Sequence, residues 1–196
     1  PLHHPLVHLS GAEAARRGIE QKLEKVIVSG SSAHNIPALS AYPGVPIVST
    51  ALPAWASATS AQVLADISAM VSAIVTTSGG IHRPNKMFVP EATYLTLKFL
   101  MIANTNQSVL SWLMDPVNQM GIMVVPWNTF ATAGASSATR VMLGQFTDDI
   151  CRVEITQEIE VEAGQPKNLS VIFPMTLRTA GFVINYPLAF AYMDAR

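Results

Sequence analysis

The stretch KVIVSGSSAHNIPALSAYPGV, Lys25 to Val45, sets Ser31, Ser32 and His34 in a glycine-containing loop straight after an apolar run. Serine beside histidine is the material of nucleophilic acyl transfer, in which the imidazole takes the hydroxyl proton as the oxygen attacks a carbonyl. A nucleophile elbow, however, needs a glycine on both sides of the serine, because its turn is sharp and strained. Here the order is Gly30-Ser31-Ser32-Ala33-His34, and the second glycine is absent. The competing reading is an ordered turn whose Ser and Asn side chains bond local backbone. A serine hydrolase built on Ser31, Ser32 and His34 is therefore only the minor alternative.

Other chemistry is thinner. His3, His4 and His8 lie in a terminal stretch with Pro5, and no carboxylate beside them completes a metal set; ligation needs fixed geometry and supporting partners. Glu154, Glu158, Glu160 and Glu162 form an acidic stripe. Such a stripe could hold a hard cation, but its ordinary role is a solvated face or one that meets basic residues of a neighbour. Gly79-Gly80 ends a helix instead of opening one, so it makes no phosphate cradle. No catalytic residue, cofactor or metal is assigned.

Composition points the same way. Charged residues are 13% of the 196 and hydrophobic ones 49%, against about 25% charged in an ordinary soluble domain. Subunit interfaces or a membrane would explain this scarcity. A spanning helix needs roughly 20 mostly apolar residues, and Ala51–Gly80 is dotted with Ser and Thr and has Pro53 near its start. The N-terminus has neither the basic region nor the apolar core of a signal peptide. Net charge is −1 with no basic run, which argues against a nucleic-acid grip. Cys151 is the lone cysteine, so no disulfide framework forms within the chain.

Periodicity supplies the elements. Ala12–Lys25 is rich in helix formers, with Glu20 and Glu24 in helical register. Ser60–Val75 places Val63, Ile67, Met70, Val71 and Ile74 on one face, with Thr59 or Ser60 as cap. KMFVP reads as a buried strand, and Pro90 opens a helix reaching about Ile102 with Tyr94, Leu97 and Met101 inward. Ser108 caps a short helix through Trp112, GIMVVPW is another buried strand, and TFATAGASSAT is a flexible loop. In ICRVEITQEIEVE the period is two, so Cys151, Val153, Ile155, Ile159 and Val161 share one side of a half-buried strand. AGQPKN turns, LSVIFPMTLR is a strand broken or edged at Pro174, TAG turns again, and FVINYPLAFAYMD closes the chain. Helical and strand runs are segregated, so the class is α+β.

The order of KVIVSGSSAHNIPALSAYPGV, then VLADISAMVSAIVTTSGGIHRPNKMFVPEATYLTLKFL, then LSVIFPMTLRTAGFVINYPLAFAYMD resembles the major capsid proteins of tailed bacteriophages. These share the Hong Kong 97-type fold with encapsulin shells. The resemblance implies a peripheral domain, residues 1–50 with 146–183, holding a long helix and long antiparallel strands. It also implies an axial domain, residues 51–145 with 184–196, holding a central sheet flanked by helices. Ser29–Val45 becomes the junction between them. Family members carry an N-terminal arm and an extended loop before the long helix; only Pro1–Gly11 precede it here, so no inter-subunit cross-link is assigned. The implied function is a phage or prophage subunit that self-assembles into an icosahedral head enclosing DNA. The alternative is an encapsulin-like compartment. Implied partners are further copies in hexamers and pentamers, then portal, scaffold or decoration proteins, with DNA met non-specifically and no membrane. The place is the virion, after assembly in the host cytoplasm. Arg16, Arg17 or Arg152 of an adjacent copy is expected to meet Glu154, Glu158, Glu160 and Glu162, because a shell subunit works through broad contacts with its own kind.

Overall fold

A computed structural model describes residues 5–49, 54–116, 120–167 and 170–195. The chain divides into two units, residues 1–39 with 153–183 and residues 40–152 with 184–196.

The larger unit is built on a mixed five-stranded sheet. In chain order its elements are β1 (Ile47–Val48), α2 (Ser60–Thr77), β2 (Lys86–Val89), α3 (Glu91–Phe99), α4 (Val109–Met114), β3 (Met123–Pro126), β4 (Thr139–Gly144) and β9 (Phe190–Ala195). The strand order is β1-β9-β4-β2-β3. β1 runs parallel to β9 and β2 parallel to β3, while β4 is antiparallel to both of its neighbours. The core packs Val63, Ile67, Met70 and Ile74 of α2 and Leu97 of α3 with Met87, Val89, Val141, Leu143, Ala191 and Met193 of the sheet. Phe88 alternates to the sheet's other face, as the two-residue strand period requires, and joins an aromatic cluster with Trp127, Phe130 and Phe146 at centroid distances of 4.9–6.2 Å.

Caps fall where the residue types place them. The Thr59 side chain accepts from Gln62 N while Thr59 N donates to Gln62 Oε1 at 2.8 Å, a reciprocal capping box. Ser108 accepts from Ser111 N at 3.2 Å. α2 alone among the described helices is long and apolar enough to cross a membrane. Its apolar stripe is instead sealed in this core: Val63, Ile67, Met70 and Ile74 are all 0% exposed.

Two expectations for the larger unit need correction. α3 stops at Phe99, and Met101 is 50% exposed instead of inward; it forms an isolated bridge with Ser108 in the loop between the two helices. Thr129–Thr139 is not a featureless flexible loop: two short 3-10 turns, Asn128–Thr132 and Ala135–Ser137, lead into β4 at Thr139. β4 is buried along almost its whole length, so it shows no alternation to mark it as a strand.

A polar network is buried behind β4. Arg140 and Asp194 are register partners on β4 and β9 and form a two-point pair, Nε–Oδ1 at 2.6 Å and the second nitrogen to Oδ2 at 2.9 Å. Arg140 also donates to the Ser40 carbonyl at 2.6 Å and lies 5.0 Å from the Tyr192 ring centroid. The Tyr192 hydroxyl accepts from Tyr42 N at 3.1 Å, and burial pushes it up to about 12. The Tyr42 hydroxyl accepts from Ile184 N at 3.2 Å. These bonds, with the pairing of β1 on β9, gather residues 40–48 into the larger unit.

The smaller unit holds α1 (Pro5–Ser29), β5 (Cys151–Val161, from Val153 onward), the hairpin strands β6 (Gln165–Lys167) and β7 (Ser170–Ile172), and β8 (Met175–Ile184, up to Val183). β5 pairs with β8 as a two-stranded ribbon, and β6 with β7 as a second one. The break expected at Pro174 lies between β7 and β8. The turn of AGQPKN is displaced: Gln165–Lys167 is strand, and its end at Asn168 lies outside the described residues. TAG does not turn the chain either. β8 runs through Thr179-Ala180-Gly181, bent at Gly181, whose φ is +85°. There Thr179 Oγ1 donates to the Glu154 carbonyl at 2.7 Å and accepts from Gly181 N at 2.9 Å. A Cβ on Gly181 would collide with the Ile36 Cγ2 methyl.

Two outcomes follow for stability. Gly181→Ala forces a left-handed backbone on an L residue and displaces Ile36, costing about 1–3 kcal/mol in urea unfolding. Removing one partner of the Arg140–Asp194 pair strands the other charge, so Asp194→Ala costs about 3–5 kcal/mol. The Arg140 hydrogen bond holds the Asp194 carboxyl below the usual carboxylate range. A carboxylate depressed in the folded state stabilises at pH values above its unfolded pKa. That contribution is lost as pH falls below about 4, and the loss is absent in Asp194→Asn.

Candidate assembly surfaces

The serine–histidine loop comes together, but as a closed turn. The Ser31 hydroxyl and His34 Nδ1 are 3.0 Å apart. Ser31 N donates to the Ile36 carbonyl at 2.9 Å, Ile36 N returns a bond to Ser31 O at 3.0 Å, and Asn35 sits at φ +53°. A three-residue separation in so tight a turn is enough to bring the two side chains together. Among the described residues no carboxylate meets the second ring nitrogen of His34 to orient it, as acyl transfer would require. Gly30, at φ +68°, admits the close passage of Ile36 O and Ala38 N, which a Cβ would meet at 2.6 and 2.7 Å.

The other singled-out residues lie elsewhere. His3 and His4 are outside the described residues, and His8 is on α1. Among the described residues no three His, Cys, Asp or Glu side chains converge as a metal site. Cys151 is buried, and burial pushes its thiol up to about 11, far from a reactive thiolate.

One member of the acidic stripe, Glu158, borders a groove in the smaller unit. α1 contributes Glu13, Arg16, Glu20 and Leu23, β5 contributes Ile155, Glu158, Ile159 and Val161, and β8 contributes Met175 and Leu177 to a hollow of about 710 Å³. Arg16 already pairs with Glu20 at 3.0 Å, with side chains 70% and 52% exposed, a geometry worth little in water. Glu160 accepts from Gln157 Nε2 at 2.6 Å, which gives the one polar interruption of the strand's apolar side a partner. Arg17, Arg152, Glu158, Glu160 and Glu162 are exposed and Glu154 half-buried. Arg16 and Glu158 thus line one groove within a single copy.

The half-buried strand needs correction. In β5 only Cys151 is buried, while Val153 is 42%, Ile155 46% and Val161 55% exposed. Val171, Ile172 and Phe173 beside the hairpin are 57%, 44% and 53% exposed. The alternation is real, but α1 faces the ribbon across an open groove, so Ile159 is only half-buried and Val153, Ile155 and Val161 stay exposed. The larger unit has its own uncovered patch on α3, where Leu95 is 44% and Phe99 74% exposed.

Comparisons with known proteins give the family and the fold. A family model described as Major capsid protein matches residues 7–195, and the chain belongs to that family. Among solved structures, the capsid of Myoviridae Phage XM1 superposes with a TM-score of 0.82 at 12% identity, over 97% of this chain and 65% of that one. The virus-like particle from Pyrococcus furiosus gives 0.59 at 18% identity, over 87% and 62%. The holo-SrpI encapsulin complex from Synechococcus elongatus PCC 7942 gives 0.58 at 12%, over 98% and 66%. This chain spans just under two thirds of the length of each. The fold is the Hong Kong 97 type. No curated protein matches the sequence.

The turn reading makes a direct statement about chemistry. Ser31→Ala removes one partly exposed hydrogen bond and costs about 0.5–1.5 kcal/mol. Wild type and Ser31→Ala are expected to hydrolyse an activated acetate ester at the same background rate; a faster wild type would overturn the turn reading.

Proposed function

We propose that this chain is the repeating subunit of a tailed-phage or prophage head, an icosahedral shell of many copies enclosing DNA. The observation that carries the reading is the β5–β8 ribbon. A two-stranded ribbon is at best marginal in water, and this one keeps Val153, Ile155 and Val161 exposed at 42–55%. Neighbouring copies supply the missing cover. A charged fraction of 13% suits the same purpose, because charges are depleted where interface cores are desolvated.

In this reading the smaller unit is the peripheral domain and the larger the axial domain. The acidic residues Glu154, Glu158, Glu160 and Glu162 of one copy meet Arg16, Arg17 or Arg152 of the next, in head-to-tail contacts that close. DNA is enclosed without sequence-specific contacts, and portal, scaffold or decoration proteins complete the particle. Assembly takes place in the host cytoplasm and the product is the virion.

The test is negative-stain microscopy of the full-length chain, expressed alone and with its genomic neighbours. Closed particles of uniform size are expected; a chain that stays monomeric at high concentration in both settings overturns the reading. Nucleic acid inside the particles marks a phage head, and a protein cargo marks an encapsulin-like compartment. Glu160→Lys is expected to lower particle yield while leaving the subunit folded, and undiminished assembly would remove the acidic stripe from the contact.

A further inference from the structure

The inner strands of the larger unit hold Met87, Val89, Met142, Leu143, Phe190 and Met193 buried. The two outermost strands do not close in the same way. In β1, at one end of the sheet, Ile47 is 55% exposed, and in β3, at the other end, Met123 is 52% exposed. Val48 and Val124, their chain neighbours, pack into the core. Side chains alternate along a strand, so Ile47 and Met123 share the face turned away from α2.

Each end continues the exposure. Beside β3, Ile122 N donates to the Leu113 carbonyl at 3.0 Å, which brings Met114, 44% exposed, to the start of the strand. At the other end of α4, Val109 N donates to the Leu100 carbonyl at 2.9 Å, between Phe99 and Met101, 74% and 50% exposed. At the β1 end, Gly44 at φ +83° lies against Pro187, and Leu188 follows at 47% exposure. The Pro46 carbonyl accepts from Tyr192 N at 2.9 Å; in a parallel ladder this turns the N–H and C=O of Ile47 to the open side of the edge.

Both ends are almost free of charge. Residues 42–49 and 186–189 contain no Asp, Glu, Lys or Arg, and from 99 to 126 the one such residue is Asp115. Interface cores are depleted in charge in the same way. An end that met its own kind would make an isologous contact, whereas opposite ends of one sheet meet by a repeated rotation that can close a ring. Methionine, unbranched and polarisable, repacks readily, and three of the exposed side chains at the β3 end are methionines.

We infer that the β3 end of the larger unit docks head-to-tail on the β1 end of the next copy, with Met101, Met114 and Met123 repacking so that one surface serves both pentamers and hexamers. The inference rests on the shell reading and names the surfaces by which one copy meets the next.

The experiment uses full chains, Ile47→Cys and Met123→Cys, expressed together and treated with a short bismaleimide. The mixed product is expected to exceed either self-linked product several-fold, and wild type, whose Cys151 is buried, gives none. A chain carrying both cysteines gives a ladder that ends at pentamers and hexamers. Self-linked products in excess overturn the head-to-tail pairing. As a second measurement, Met123→Lys and Ile47→Glu each lower particle yield several-fold with the fold intact by circular dichroism, and the double variant regains it; undiminished yield in the singles, or no recovery in the double, overturns the contact. Replacing Met101, Met114 and Met123 together by Leu keeps volume and apolarity. It is expected to turn uniform closed particles into open or irregular ones, and unchanged particles overturn the role given to methionine. Microscopy is run in parallel. Closed particles without the mixed cross-link overturn this contact and leave the shell reading standing. A cross-linked ladder without closed particles supports the contact and counts against the shell. Absence of both overturns both.

Discussion

Arg140 and Asp194 face each other on adjacent strands with almost no access to water, and the larger unit is organised around them. Asp194 also accepts from Ala135 N at 3.0 Å, so the carboxylate holds a 3-10 turn as well as an arginine. The guanidinium in turn fixes the Ser40 carbonyl and rests on Tyr192. One ion pair therefore ties together the entry of the chain into this unit, the turn before β4, and the central strands β4 and β9. A charge pair so buried contributes little against a well-packed apolar substitute. Its importance is that neither member tolerates the loss of the other, which specifies the one arrangement in which both are satisfied.

The two units differ in how completely they bury their own apolar residues. In the larger one, a sheet covered by helices on one face and by aromatic residues on the other encloses a continuous buried core. In the smaller one, a ribbon only two strands wide faces α1 across an open groove and keeps Val153, Ile155 and Val161 exposed. The contrast is one of packing: the larger unit holds the continuous core, and the smaller one leaves part of its apolar ribbon open.

Much of this was legible from residue types and spacing. The stripe of α2, its Thr59 cap, the Ser108 cap and the break at Pro174 each follow from a local rule, and each stands where that rule puts it. β4 was not legible, because a strand buried on both faces carries no alternation. The network of Ser40, Tyr42, Arg140, Tyr192 and Asp194 was hidden for another reason. Its members are scattered from residue 40 to residue 194, and only the sheet order brings them together. The one available hint was a lone arginine opening an apolar run. The β5 alternation was read correctly as a two-sided strand, but the pattern records which residues seek burial without saying whether the same chain provides it. TAG reads as a turn because glycine is permissive; the fold uses that freedom for a bend inside β8, under Ile36.

The exposed apolar side of the ribbon also bears on how this protein's thermal stability is to be understood. Where a partner completes a surface, association and folding are linked by mass action, so the melting temperature rises with subunit concentration. The same substitution on β5 would then register differently in dilute and in concentrated samples, whereas one in the core of the larger unit would register alike in both. Dilution thus becomes a way of sorting residues by whether they serve the individual molecule or the collective.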